Sequence, residues 1–160
     1  MIRPHTRLAT ERWALLPLRL VIGFGFTAHG YAKLERGPAQ FAAIVAAMGI
    51  PAPGPVAWST SLLELLGGMS LMLGAAVALL ALPLGAVMAT AIFGVHLRYG
   101  FSAVRLLALT ASGAQFGPVG YELNLVYLAG LLTLALGGAG PLSVDRWLQA
   151  RRRRERAAAV

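Results

Sequence analysis

The sequence predicts an all-α integral membrane protein: an antiparallel bundle of four transmembrane helices, with a short interfacial helix between the first and the second. Hydrophobic residues make up 58% of the 160 residues and charged residues only 12%, whereas soluble domains carry about 25% charged residues. Four apolar segments are each long enough to cross about 30 Å of hydrocarbon. Short polar or glycine-containing links separate these segments.

The first span is predicted between two aromatic interface anchors, Trp13 and Tyr31. It is unusual because it carries Arg19 and His29, with Lys33 directly after it. At about 100° of turn per residue these three side chains share one helical face. Because ionisable groups in membrane helices usually point into a bundle or a wet cavity, we predict that this face points inward.

The following segments predict the remaining elements of one domain that covers residues 1–160. The stretch AQFAAIVAAMGI is too short to span and is predicted to be the interfacial helix. The short link after Leu73 predicts an antiparallel hairpin of the second and third spans. Residues 98–120 are rich in glycine and small polar residues and predict an outer loop, with a short helix at its centre. The remaining predicted segments are an N-terminal tail at 1–12, spans at about 56–73, 77–97 and 121–137, and a basic C-terminal tail at 143–160 that begins at a capping Ser143.

The positive charges predict the orientation in the membrane. Most of the 14 Lys and Arg residues lie in the two tails, and cytoplasmic segments carry an excess of such residues. We therefore expect both termini to be cytoplasmic, with the tails contacting anionic membrane lipid. The basic tail residues are Arg3, Arg7, Arg12, Arg146, Arg151, Arg152, Arg153, Arg154 and Arg156.

Two polar layers are predicted inside the bundle. The deeper one contains Arg19, about 9 Å from the cytoplasmic end of the first span, and Glu64, about 13 Å from that end of the second. An unpaired charge at this depth is costly, so we predict a buried Arg19–Glu64 salt bridge whose role is the specificity of helix packing. Small residues, including Gly67 and Gly68, share the face of Glu64 and permit close helix approach.

The second layer lies near the outer surface and combines His29, Lys33, His96 and Glu122. Such a cluster could bind an anionic or quinone-like head group, with histidine exchanging protons near neutral pH. His29, His96 and Glu122 are also usual zinc or iron ligands. Because no compact metal-ligand spacing is present, a metal is not predicted.

The composition excludes several other classes of function. The chain contains no cysteine, which rules out disulfides, thiolate catalysis and iron–sulfur ligation, so a redox role requires a bound cofactor or a redox partner. The net charge of +8 is concentrated beside hydrophobic spans, and we do not predict nucleic-acid binding.

Four separated motifs resemble the DoxX family of small four-helix bacterial membrane proteins. They are RLVIGFGFTAHGYAKL, ELLGGMSLMLG, HLRYGF and GYELNL. The resemblance implies a place in the bacterial inner membrane and a likeness to the small membrane subunit of a thiosulfate:quinone oxidoreductase. Residues that match the family's polar pattern are Arg19, His29, Gly30, Lys33, Glu64, Gly67, Gly68, His96, Tyr121 and Glu122.

We therefore expect a quinone-linked membrane oxidoreductase, or a subunit of one, that works with a soluble or membrane redox partner. Two other functions stay open: a non-enzymatic anchor or scaffold for a redox complex, and a small proton-coupled transporter, although the internal repeat of many carriers is missing. The expected catalytic residues are His29, Lys33, His96 and Glu122. The expected cofactor-binding residues are Arg19, Phe26, Gly30, Glu64 and Tyr121.

Overall fold

The computed structural model describes residues 12–158, and most of them are helical. The predicted N-terminal tail, except for Arg12, lies outside the described residues. The helix Val77–Ala91 continues without a break into a π-helical turn, Ile92–His96, and a 3₁₀ turn, Leu97–Tyr99. The elements in chain order are α1 (Leu15–Glu35), α2 (Pro38–Ala47), α3 (Pro53–Leu73), α4 (Val77–Ala91), β1 (Leu106–Thr110), β2 (Gly113–Phe116), α5 (Glu122–Gly137) and α6 (Val144–Ala158).

Two of the described helices are long and apolar enough to cross a membrane, judged by length and composition. They are Pro53–Leu73 and the continuous helix Val77–Tyr99. Two shorter apolar helices, Pro38–Ala47 and Glu122–Gly137, occupy the segments predicted as the interfacial helix and the fourth span. Ser143 caps α6 as predicted, since its hydroxyl accepts a hydrogen bond from the Arg146 amide at 3.4 Å.

Helices α1, α3, α4 and α5 contribute to one apolar core, which lies toward the end of the bundle where α6 begins. We call this the α6 end, and the opposite end, covered by α2, the α2 end. The centre of the core is fully closed to solvent, as close packing requires. Its buried members are Ile22, Phe26, Leu71, Val77, Ala81, Leu84, Met88, Leu131 and Leu134.

Close packing of α1 against α3 depends on glycine. A Cβ atom added to Gly68 would lie 2.5 Å from the backbone nitrogen of Thr27, and one added to Gly30 would lie 2.7 Å from the carbonyl oxygen of Ser61. Real Cβ atoms do not approach this closely, so both positions require glycine for the two backbones to touch. This contact fixes which side chains of the two helices can meet.

The predicted short helix in the loop 98–120 is wrong, because this segment forms an antiparallel β-hairpin. Leu106 pairs with Phe116 and Thr110 with Gly113 across a two-residue turn. Gly113 has a φ of 119°, which is outside the helical region and favours glycine. The Thr110 hydroxyl also donates to the Gly113 carbonyl at 2.9 Å, so local side-chain bonding stabilises the turn rather than a helix.

Candidate functional site

A buried ion pair joins α1 to α3. The Lys33 ammonium contacts the Glu64 carboxylate, and their side chains are 23% and 1% exposed. The ammonium also lies 4.5 Å from the ring centroid of Phe41 on α2, in a cation–π contact. Glu64 therefore receives its compensating charge from Lys33.

The predicted Arg19–Glu64 salt bridge is wrong. Arg19 is buried, but its guanidinium donates to the carbonyl oxygens of Ala139, of Pro141 at 3.3 Å and of Leu142 at 3.0 Å, in the link between α5 and α6. It therefore joins α1 to the α5–α6 link, whose carbonyls lie beyond the last turn of α5 and have no helical partner.

The direction in which helical side chains lean explains this difference. Side chains lean toward the N-terminus of their own helix. Because α1 and α3 run in opposite directions, Arg19 leans toward the α6 end, where a Cβ on Gly74 would lie 2.5 Å from its Nη1 atom. Glu64 leans toward the α2 end, and Lys33 leans back along α1 to meet it. The sequence-based prediction used only the depths of Arg19 and Glu64 along their helix axes, and so it did not account for the opposite directions of the two side chains.

The ion pair lines a cavity of about 640 Å³ at the α2 end of the bundle. All five helices from α1 to α5 contribute to its wall, and most of the wall is apolar. The cavity brings together three of the four predicted catalytic residues, His29, Lys33 and His96, and adds Glu64. Its other polar lining residues are Arg36, Gln40, Thr60, Thr90, Asn124 and Tyr127.

His96 belongs to the π-helical turn that ends α4. Its Nδ1 atom lies 3.0 Å from the carbonyl oxygen of Val119. A carbonyl oxygen only accepts hydrogen bonds, so Nδ1 carries the hydrogen, and in the neutral ring Nε2 is left as an acceptor. A π-turn changes the direction of the following side chains relative to a regular α-helix and often occurs at functional sites.

Tyr127 and Asn124 on α5 are cavity residues that the sequence analysis missed. The Tyr127 ring lies 6.4 Å from the His29 ring and 5.2 Å from the Phe26 ring, measured between centroids. Asn124 is buried and donates weakly to the Met88 sulfur at 3.7 Å. Their spacing of three residues within an apolar span places both on one helical face, and this pattern could have identified them from the sequence.

The remaining predicted site residues do not line this cavity. The Glu122 carboxylate accepts a hydrogen bond from the Ala103 amide at 2.8 Å and so holds the loop before the hairpin. Tyr121 packs edge-on against Phe101, with ring centroids 5.7 Å apart. Phe26 lies in the core and Gly30 in the α1–α3 contact.

The positions of His29, His96 and Glu122 also show how these three possible metal ligands are arranged. Over residues 12–158, no group of three or more His, Asp or Glu side chains is arranged to hold a metal ion. His29 and His96 line the cavity, whereas Glu122 bonds to the loop.

Comparison with known proteins gives one match. The family model described as DoxX matches residues 14–97, from the start of α1 to the turn after His96. The matched region includes Arg19, His29, Lys33, Glu64 and His96, and it ends before the hairpin and α5. No curated protein and no solved structure shows significant similarity to the chain.

Proposed function

Because the chain belongs to the DoxX family, we propose that it is a quinone-linked membrane oxidoreductase, or the membrane subunit of one. Its substrate site is the cavity at the α2 end. The family is associated with membranes and often with redox or quinone-related functions. The observation that carries the proposal is the Lys33–Glu64 ion pair, placed in an apolar cavity beside His29 and His96.

The proposal includes a topology for one DoxX-like domain over residues 1–160. Helices α1, α3, α4 and α5 cross the bacterial inner membrane, and α2 lies at the outer interface. The arginines of α6 support a cytoplasmic α6 end under the positive-inside rule. The cavity then opens at the outer half of the membrane, where a lipid-soluble substrate can enter from the bilayer.

The residues present fit a quinone by size and chemistry. Sites for small molecules usually enclose about 300–1,000 Å³ and combine an apolar wall with a few polar groups, and this cavity has about 640 Å³. A bound quinone would supply two-electron redox chemistry coupled to proton uptake. The electrons come from a redox partner, because the chain carries no cysteine and no nucleotide-binding motif.

Each polar group has a distinct role in this proposal. Lys33 is a charged donor for a carbonyl oxygen, and Glu64 holds that ammonium in place. His29 and His96 are the donors and acceptors for proton transfer to the substrate. Tyr127 and Asn124 orient the ring from the α5 side, while Phe41 and Met48 contribute apolar contact from α2.

Extraction and binding measurements test the proposal. The full chain, purified in mild detergent, is extracted for quinone, and short-chain ubiquinone and menaquinone analogues are titrated against it in thermal unfolding. Wild-type protein is expected to gain about 2.7 kcal/mol of stability at 100 times the dissociation constant. His29→Ala and Glu64→Gln are expected to lose most of that gain.

The matched control for Glu64→Gln is Glu35→Gln, which removes the same charge from an exposed residue that does not line the cavity. It is expected to keep the full gain. Absence of extracted quinone, together with no stabilisation of wild-type protein by either analogue, contradicts the proposal.

The basic helix α6 favours a second candidate, a non-enzymatic anchor for a redox complex. Its arginines are exposed, and its first turn is fixed to the bundle through Asp145. An anchor loses function when the residues after Trp147 are removed and keeps it in His29→Ala and Glu64→Gln. A quinone site shows the opposite pattern in complementation of a deletion strain.

A further inference from the structure

A second pocket lies at the α6 end, opposite the cavity described above. It measures about 480 Å³ and is lined by the α5–α6 link with the last residue of α5, the start of α4 and residues of α6 up to Arg153. Three arginines contribute to its wall: Arg12, Arg146 and Arg153. We call it the arginine pocket. None of these residues belongs to the proposed quinone site.

The walls of the arginine pocket are held in place by hydrogen bonds. The Asp145 carboxylate accepts from the backbone amides of Ala76 and Val77 at 2.8 and 3.1 Å, at the start of α4. The Asp145 amide donates to the Gly74 carbonyl at 3.0 Å. The first residues of helix α6 are therefore fixed to the α3–α4 turn, which sets the position of the helix that carries the arginines.

Within residues 12–158, the charge in the arginine pocket is only partly balanced by protein groups. The described lining combines three arginines with one carboxylate, that of Asp145, whose oxygens already accept two amides at the start of α4. Among the described residues, Arg12, Arg146 and Arg153 form no salt bridge, whereas Arg151 pairs with Glu155. Guanidinium groups present planar pairs of donors that match the geometry of a phosphate group.

The spacing of the two α6 arginines directs them to the same place. Arg146 and Arg153 are seven residues apart, close to two helical turns, so both lie on the face that lines the pocket. Arg152 and Arg156 are not among the residues that line the pocket. Helix α6 thus carries two arginines that contribute to the pocket wall and two that do not.

We propose that the arginine pocket binds the head-group phosphate of an anionic phospholipid. The chain that forms the pocket also exposes apolar side chains, including Leu142, Trp147 and Leu148. Tryptophan is enriched at the membrane interface, and such a surface suits the acyl chains of a lipid whose head group enters the pocket. A free phosphate ion shares the head-group chemistry but gains nothing from these exposed apolar side chains.

The test uses the full chain in neutral detergent and two matched double variants. R146Q/R153Q removes two pocket arginines, and R152Q/R156Q removes two arginines of the same helix that do not line the pocket. Binding of dioctanoyl phosphatidylglycerol is measured by native mass spectrometry, with dioctanoyl phosphatidylcholine and inorganic phosphate as comparison ligands. At about fivefold per arginine, R146Q/R153Q is expected to weaken phosphatidylglycerol binding roughly 25-fold. R152Q/R156Q is expected to weaken it by less than about fivefold.

Equal weakening in the two double variants overturns the proposal, because it indicates attraction to a basic surface rather than a site. Displacement of the lipid by millimolar inorganic phosphate also overturns it in favour of a free-anion site. A measurement on wild-type protein avoids any effect of the substitutions on folding. Phosphatidylglycerol is expected to protect Arg146 and Arg153 from phenylglyoxal while Arg152 and Arg156 stay reactive, and equal reactivity of all four contradicts the proposal.

Discussion

Lys33→Met removes the positive partner of the buried ion pair and leaves the Glu64 carboxylate in place. Removing one partner of a buried pair costs about 3–5 kcal/mol, because the remaining charge is uncompensated. The Glu64 side chain is only 1% exposed, so little solvent reaches the carboxylate to replace the lost ammonium. We expect the variant to lose about 3–5 kcal/mol of unfolding free energy.

The reciprocal change, Glu64→Gln, is expected to cost less. Lys33 is 23% exposed, and its flexible four-carbon chain can carry the ammonium to water when the carboxylate is removed. Its cation–π contact with Phe41 is also kept. We therefore expect a loss of about 1–2 kcal/mol, near the ordinary cost of a missing hydrogen-bond partner.

Reversible unfolding in mixed micelles, with rising dodecyl sulfate, measures both losses. The double variant K33M/E64L is expected to be more stable than Lys33→Met alone, since it removes the unpaired charge. Arg36→Met is the control for removing a cation, because Arg36 is exposed. Two results contradict this expectation: equal losses of unfolding free energy in the two single variants, or a loss in the double variant that is the sum of the two single losses. Either result shows that the unequal burial of the two charges does not determine the losses.

Other positions give equally specific expectations for the same unfolding assay. Gly68→Ala is expected to cost about 1–3 kcal/mol of unfolding free energy, because its Cβ would meet the α1 backbone at Thr27. The control Gly85→Ala, whose nearest neighbour lies 3.8 Å from the added Cβ, is expected to be neutral or stabilising by up to about 1 kcal/mol. Equal losses in the two variants contradict close packing at Gly68. Arg19→Met leaves carbonyl groups of the α5–α6 link without a donor and is expected to cost at least about 1–3 kcal/mol of unfolding free energy. Proteolysis in that link is expected to be faster, and an unchanged rate would show that Arg19 does not hold the link in place. Asp145→Ala removes the acceptor for two amides of α4 and is expected to cost about 0.5–2 kcal/mol, a loss that should be absent in Glu155→Ala at the exposed end of α6.

The sequence predicted the helices well because hydrophobic run length is a local property. The predicted inward face of α1 is correct in part: Arg19, Gly23, Phe26 and Gly30 are buried, whereas His29, which was predicted to share that face, is exposed. The family resemblance is confirmed by the match over residues 14–97. Both signals depend on residues close together in the chain.

The pairing of charges could not be predicted in the same way. Arg19 and Glu64 lie at similar depths along the helix axis, but their side chains lean in opposite directions because α1 and α3 are antiparallel. The partners of Arg19 are backbone carbonyls more than a hundred residues away, and carbonyl groups leave no mark in a sequence. The hairpin at residues 106–116 was missed for a related reason, since Leu107 and Leu109 are exposed and give no burial pattern.

The position of the cavity follows from how the helices fill the bundle. Toward the α6 end, Leu71, Leu84 and Leu134 are fully buried and close the space between the four helices. Toward the α2 end, glycine holds α1 against α3, the largely apolar wall carries a few polar side chains, and α2 contributes to the wall. For the cavity to stay open, the Glu64 charge must be compensated by a side chain that does not fill the space. Lys33 meets this need because its long chain reaches Glu64 from the edge, so the polar cluster and the open volume can exist in the same half of the bundle.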